Sequence, residues 1–187
     1  HDRVDADALL AEGEGLLGDV GVDRHLRPHV VGLPVLLGPR RGRLEVHVEV
    51  GLRGRGGAGF PAGIKWRTVA QADAAQKYVC VNADEGDSGT YADRMLMEGD
   101  PFTLLEGMAI AGLSVGASTG YVYLRSEYPD AVETLRAAIA LARDCGWLGP
   151  DVLGSGRAFD VHVRVGAGSY VCGEETAMLE SLEGRRG

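Results

Sequence analysis

Cysteine is scarce in this sequence, and its scarcity removes whole classes of chemistry. Cys80, Cys145 and Cys172 are the only three, an odd number, and no two stand at the C-x-x-C spacing that zinc or iron–sulfur ligation uses. Neither a disulfide framework nor a metal cluster can be assembled from them, so no metal ligands are assigned and a reducing, cytoplasmic setting is expected. Long hydrophobic runs are missing too. No stretch approaches the roughly 20 apolar residues of a membrane span, and the N-terminal region lacks the charged start and apolar middle of a secretory signal. Positive charge is also in short supply. With 19 Lys and Arg against 27 Asp and Glu the formal net charge is -8, which argues against a nucleic-acid partner, since a phosphate backbone must be met by a basic stripe. The densest basic run, Arg40, Arg41 and Arg43, reads as a solvated loop.

What is plentiful is glycine, 29 of 187 residues, gathered into distinct loops rather than spread as linker. The rest of the composition, 45% hydrophobic and 25% charged, is that of an ordinary globular domain with one sizeable core. No internal repeat is present. The chain starts at His1 without Met and stops at Gly187 directly after Gly184-Arg-Arg, so a segment of a longer protein is expected.

The second half carries the clearest periodicities. Lys77-Tyr-Val-Cys-Val-Asn82 is a short apolar run with β-branched residues and reads as a buried strand. Asp100 as N-cap and Pro101 at the first helical position open a helix expected to run to about Ala117, with Leu104, Leu105, Met108, Ile110 and Ala111 at helical spacing. Gly120-Tyr-Val-Tyr-Leu-Arg125 is the next strand. Pro129 starts a second helix with the apolar face Val132, Leu135, Ile139 and Ala142, ended by Gly146. Phe159 to Val165 alternates as a third strand, and a glycine-rich turn leads into a helix from Glu174 to Leu182. Alternating strands and helices predict an α/β, Rossmann-like domain with a mainly parallel sheet over 51–187. Residues 1–50 read as a lead-in, with a weak helix over Asp7 to Leu17 and strand-like alternation over Leu44 to Val50.

Three loops carry candidate chemistry. Gly54-Arg-Gly56-Gly57-Ala-Gly59 matches the G-x-G-x-x-G fingerprint, whose glycines let a backbone approach a pyrophosphate. Its continuation, Phe60-Pro61-Ala62-Gly63, departs from the uninterrupted helix opening of the standard geometry, so the glycine loop is expected to be atypical. Arg53, Arg55, Lys65 and Arg67 supply cations nearby, and Phe60 and Trp66 supply aromatic faces: phosphate plus a flat ring suits such a loop. The plainer reading makes Trp66 a core residue and leaves Phe60 partly exposed. Asn82-Ala-Asp84-Glu85-Gly-Asp87 follows a strand at the carboxyl edge of the sheet, where α/β proteins bind ligands, although a polar turn would have the same composition. Gly166-Ala-Gly168-Ser-Tyr170-Val-Cys-Gly173-Glu174-Glu175 repeats the arrangement. Acids there could accept from ribityl or ribose hydroxyls, or could simply complement the helix dipole. Cys172 reads as a small packing residue.

Taken together, Gly51 to Trp66, Val81 to Thr90 and Gly166 to Thr176 resemble the 51-kDa-type flavoprotein subunit of NADH dehydrogenase. That family includes the diaphorase subunit of NAD-reducing hydrogenases and the beta subunit of NAD-dependent formate dehydrogenases. The stretch Glu85 to Pro101 is most similar to the formate dehydrogenase branch. The resemblance implies an FMN- and NAD(H)-binding domain that passes a hydride between the two cofactors. It implies NAD(H) contacts from Gly54, Arg55, Gly56, Gly57, Gly59, Phe60, Lys65 and Glu175, with Phe60 on adenine, Lys65 near the phosphates and Glu175 towards the nicotinamide ribose. It implies an FMN lining of Asn82, Asp84, Glu85, Tyr170, Gly173 and Glu174. The sequence departs from the family at Thr68, where a second aromatic is common, and at Asp87-Ser88, where Glu-Pro is common. The family also enters its glycine loop from a helix, against the strand-like alternation of Leu44 to Val50. A [4Fe-4S] cluster is expected in the full-length subunit but is not ligated by this segment, and the implied partners are iron–sulfur subunits and a catalytic dehydrogenase subunit. Hydride transfer between cofactors needs no acid–base side chain, so no catalytic residue is assigned. A quinone-linked or hydrogenase-linked subunit is the alternative within the family. From a different class, the missing cluster cysteines leave open a non-catalytic nucleotide-binding assembly module.

Overall fold

The computed structural model describes residues 51–54, 59–87 and 89–186. The readings made on residues 1–50, including the weak helix over Asp7 to Leu17 and the alternation of Leu44 to Val50, lie outside the described residues, as do Arg55, Gly56 and Gly57.

Among the described residues three strands, β1 (Tyr78–Ala83), β2 (Thr119–Leu124) and β3 (Asp160–Val165), form one sheet in the order β1-β2-β3, all parallel. Their registers run from Tyr78 beside Thr119 to Ala83 beside Leu124, and from Thr119 beside Asp160 to Leu124 beside Val165. Parallel pairing demands a long crossover, and helices supply it. Between β1 and β2 lie α2 (Ala92–Gly99) and α3 (Pro101–Val115); between β2 and β3 lies α4 (Pro129–Asp144). Before β1 stands α1 (Ala62–Gln71), and after β3 a 3-10 turn over Tyr170–Gly173 leads into α5 (Glu175–Leu182). This is the α/β, Rossmann-like arrangement that the alternating pattern predicts.

The core lies between the sheet and the helices that cross over it. Val79, Val81 and Ala83 of β1, Val122 and Leu124 of β2 and Val161 of β3 meet Leu104, Leu105 and Met108 of α3 and Val132, Leu135 and Ile139 of α4. Period-two alternation sends the intervening residues to the other face, where Tyr123, Cys172 and Met178 make a second, smaller buried cluster with Cys80 packed against it. Cys172 is thus a packing residue, and burial pushes the Cys80 thiol up to about 12, out of reach of ordinary thiolate chemistry. Gly116 ends α3 in the left-handed conformation, φ 83°, with its own N–H and that of Ala117 both donating to the Gly112 carbonyl.

Two elements differ from expectation. The helix opening after the glycine loop is intact: α1 begins at Ala62, with Pro61 as the preceding extended residue, because a proline outside the helix removes no helical hydrogen bond. Trp66 and Val69 of this helix are buried, so Trp66 belongs to the core. Asp100 precedes α3 as expected, but its carboxylate accepts from Thr103 Oγ1 at 2.8 Å rather than from a backbone N–H.

Close packing of α3 on Phe159, the residue before β3, depends on one missing methyl. A Cβ at Gly112 would lie 2.2 Å from Phe159, and Phe159 is fully buried. Gly112→Ala is therefore expected to destabilise the fold by about 1–3 kcal/mol through overpacking. Denaturant unfolding measures it; wild-type stability would show that α3 can move off Phe159 freely.

Candidate functional site

Because the strands are parallel and in register, their carboxyl ends, Ala83, Leu124 and Val165, stand side by side. Every loop that leaves them emerges on the same edge. This brings 84–87, 125–128 and 166–174 together although they are far apart in sequence, at the edge where open α/β sheets bind ligands.

The first loop is built on its own polar groups. Asn82 Oδ1 accepts from the Asp84 N–H at 3.2 Å, and Asn82 Nδ2 donates to the Gly173 carbonyl at 2.9 Å, tying the end of β1 to the turn before α5. Asp84 is only 4% exposed, yet among the described residues its carboxylate accepts no hydrogen bond. Burial holds its carboxyl above the usual carboxylate range, with the Arg125 charge offsetting part of that. Glu85 sits in the left-handed region at φ 44°, uncommon for a residue with a long side chain. Its carboxylate reaches α2 and accepts from the Asp93 N–H at 3.0 Å and the Arg94 N–H at 3.3 Å, satisfying two of that helix's unpaired donors. Burial, and secondarily the nearby Glu85, raise the Asp93 carboxyl.

Gly86 lies close against the Tyr170 ring. A Cβ there would come within 3.1 Å of the Tyr170 ring, which is otherwise 74% exposed. A Cβ at Gly173 would lie 3.5 Å from Asp84 Oδ2 and one at Gly86 3.6 Å from it, so the Asp84 carboxylate lies against both glycines. Glu174 is the N-cap of α5, accepting from the N–H groups of Thr176 at 3.1 Å and Ala177 at 3.0 Å. Those backbone donors hold its carboxyl below the ordinary value. Glu175, the first residue of α5, is half-buried beside it. The helix-dipole account of these two acids is thus fulfilled for Glu174 in the described state.

The middle loop escaped the sequence reading. Arg125 donates from Nη1 to the Glu85 carbonyl at 2.8 Å and from Nη2 to Glu127 Oε1 at 3.2 Å, and the ion pair lowers the Glu127 carboxyl. The Tyr128 ring has two guanidinium groups over it, those of Arg94 and Arg125, each 5.2 Å from its centroid. Applying the strand-end rule to β2, as to β1 and β3, is the signal that would have found Arg125.

A second group surrounds the glycine loop. Arg53 pairs with Pro61 across an isolated bridge, and Arg53 Nη1 donates to the Gly59 carbonyl at 2.9 Å. Gly54 is buried, and its N–H donates to the Phe60 carbonyl at 2.9 Å, which closes the loop's base. Phe60 is 43% exposed, as its place between Gly59 and Pro61 predicts, and Lys65 Nζ lies 5.4 Å from its ring centroid. A cation beside an exposed ring is chemistry suited to a base next to a phosphate. Thr68, at the position of the absent second aromatic, spends its hydroxyl on the Ile64 carbonyl at 3.1 Å. The described predicted residues therefore fall into two groups: Asn82, Asp84, Glu85, Tyr170, Gly173, Glu174 and, from the NAD(H) set, Glu175 at the strand edge, and Gly54, Gly59, Phe60 and Lys65 at the glycine loop.

A parallel α/β layer with a polar cluster along its carboxyl edge defines a Rossmann-like domain. Residues 48–187 match the family described as the Nuo51 FMN-binding domain, and the chain belongs to that family. It is 55% identical over 76% of its length to an NADH-quinone oxidoreductase subunit of Rhizobium meliloti (strain 1021), covering 34% of that protein. It is 54% identical over 73% of its length to the HndC subunit of the NADP-reducing hydrogenase of Solidesulfovibrio fructosivorans, covering 28% of it. Against an NADH-quinone oxidoreductase subunit of Rhodobacter capsulatus the identity is 43% over 100% of this chain and 43% of the relative. The chain thus spans less than half the length of these relatives. Among solved structures, an NAD+-reducing [NiFe]-hydrogenase in its H2-reduced state aligns with a TM-score of 0.70 at 37% identity, over 80% of this chain and 25% of that one. Among the described residues no helix is long and apolar enough to cross a membrane.

The buried carboxylate without a hydrogen bond yields a stability prediction. The folded state holds the Asp84 proton more tightly than the unfolded chain, so its contribution is a cost that is absent at low pH and grows as pH rises through the folded value. Asp84→Asn keeps the shape without the charge. The thermal midpoint of this chain should rise at about pH 7 and gain nothing below about pH 3.9, the ordinary value of the unfolded carboxyl. Equal gains at both pH values would mean that charge burial is not the cause.

Proposed function

We propose that this chain is the FMN- and NAD(H)-binding part of a flavoprotein subunit that passes a hydride between NAD(H) and FMN, with onward one-electron transfer to iron–sulfur clusters in the full complex. The observation that carries this reading is the strand-edge cluster around Asp84: a buried carboxylate with no hydrogen-bond donor among the described residues, set against the backbone of Gly86 and Gly173. The residues fit the group. An acceptor-only carboxylate suits ribityl hydroxyls and ring N–H groups and repels a misplaced phosphate. Asn82, Asp84, Glu85, Tyr170, Gly173 and Glu174 form the FMN lining. Gly54, Arg55, Gly56, Gly57, Gly59, Phe60 and Lys65 hold NAD(H), and Glu175 orients its nicotinamide ribose.

When bound, FMN supplies a two-electron acceptor that can release its electrons singly. The protein's own part is positional. Phe60 offers an exposed face for adenine, and Lys65 beside it a charge for phosphate. Asp84 and Glu85 would set the polarity of the cleft that holds the flavin. No side chain is assigned as general acid, general base or nucleophile.

The complete protein extends this to partners. Other subunits of a multi-subunit dehydrogenase, among them iron–sulfur subunits and a catalytic dehydrogenase subunit, take the electrons onward in the cytoplasm. The stretch from Glu85 to Pro101 favours an NAD-dependent formate dehydrogenase as that complex. The relatives named above are subunits of quinone-linked and hydrogenase-linked enzymes, which is the alternative within the family.

The full-length protein should carry a flavin absorption spectrum that bleaches on anaerobic addition of NADH. A flavin that stays oxidised in excess NADH overturns the hydride-transfer reading. Phe60→Ala in the same protein should raise KM for NADH by roughly 5- to 150-fold, the loss of about 1–3 kcal/mol of stacking, with FMN content unchanged. Loss of FMN with normal NADH kinetics would exchange the roles of the two groups.

A further inference from the structure

We propose that Arg125 is the positioning residue of the flavin cleft: from the end of β2 it locks the backbone of the Asp84–Glu85 loop by its hydrogen bond to the Glu85 carbonyl. The proposal rests on the strand-edge reading above and adds a residue that neither the glycine loop nor the two acidic motifs contain.

Arg125 reaches the first loop from the second, across 40 positions of sequence. Nη1 donates to the Glu85 carbonyl at 2.8 Å while Nη2 holds Glu127 at 3.2 Å, and the guanidinium carbon lies 5.2 Å from the Tyr128 centroid. A planar fork held at two nitrogens and set over a ring has a fixed direction, which an ammonium on a flexible stem lacks. The peptide it grips needs such a grip. Glu85 is at φ 44°, and Leu153 is the other positive-φ residue that is not glycine among the described residues. The conformation lets one residue face two ways: its carbonyl takes Arg125, and its carboxylate takes the Asp93 and Arg94 N–H groups of α2.

Three features of this corner are individually unfavourable. Glu85 has a left-handed backbone, Asp84 is a buried carboxylate with no hydrogen bond, and Arg125 Nε is buried with no hydrogen-bond partner among the described residues. A loop selected for stability alone would shed them. Their coincidence at one strand edge is the pattern of a site whose geometry is imposed by its surroundings. Arg125 is the group that touches both acids' loop and the neighbouring one, so removing it releases the loop without altering any residue assigned to the flavin lining.

The test uses the full-length protein with Arg125→Ala and Arg125→Lys, stripped of cofactor and titrated with FMN by fluorescence quenching. Both variants should raise the FMN Kd about tenfold or more, because Lys keeps the charge but not the fork. The thermal midpoint of the apo Lys variant should stay within about 2 °C of wild type. A Lys variant with wild-type FMN affinity would make charge, not geometry, the contribution and overturn the proposal. So would a loss of FMN affinity matched by a collapse of the apo Lys variant's midpoint, which would make Arg125 a general stabiliser. If Arg125→Ala fails to fold, the Lys variant alone decides. Wild-type protein that takes up no FMN removes the underlying flavin reading, whereas wild-type uptake with unchanged variants removes the role of Arg125 alone.

Discussion

The alignment of three parallel strands, ending together at Ala83, Leu124 and Val165, is the constraint on which the rest of the molecule depends. Parallel pairing forces each strand to be followed by a crossover, and the crossovers supply the helices that bury the core face. The same register delivers three loops to one edge. A one-residue slip of β2 would turn Val122 and Leu124 out of the core and swing Arg125 away from Glu85. Packing and site geometry are therefore set by one set of backbone hydrogen bonds.

The site costs the fold something. A buried carboxylate without a hydrogen bond and a left-handed glutamate are both unfavourable, the first by desolvation and the second by steric crowding of its Cβ. Phe159, Leu135 and Val161, all fully buried beneath the sheet, illustrate the opposing contribution from the core. Local strain survives at an edge because the layer behind it is well packed. The polar corner lies on loops and the apolar packing on strands and helices, so neither demand has to be met by the same residues.

The central elements were legible because their signals are local. Val79 and Val81 alternate with polar or half-buried neighbours, and Pro101 and Pro129 open helices whose apolar faces recur at helical spacing. α1 was hidden because Pro61 and Gly63 look like breakers, although Pro61 stands just outside the helix. α2 was hidden for another reason. It buries only Met97 and has Tyr91 at its cap, and the carboxylate serving its N-terminus comes from Glu85, eight positions before Asp93 and outside the helix. The polar residues of the motifs were legible as types, since Asn82 ends and Asp84 follows a strand, and Glu174 opens a helix. Arg125 was not, because an arginine at the end of an apolar strand acquires its meaning only from the register of its neighbour.

Glu174 carries a further implication. A carboxylate presents about four lone-pair directions, and α5 occupies two of them through Thr176 and Ala177. On the proposed flavin lining the others are available to a ligand, so one side chain can anchor a helix and meet a ligand at the same time. This couples two properties that substitutions usually separate. Asp is one methylene shorter and Gln offers a single acceptor oxygen, so each alters the helix start together with the cleft, leaving this position little freedom to drift.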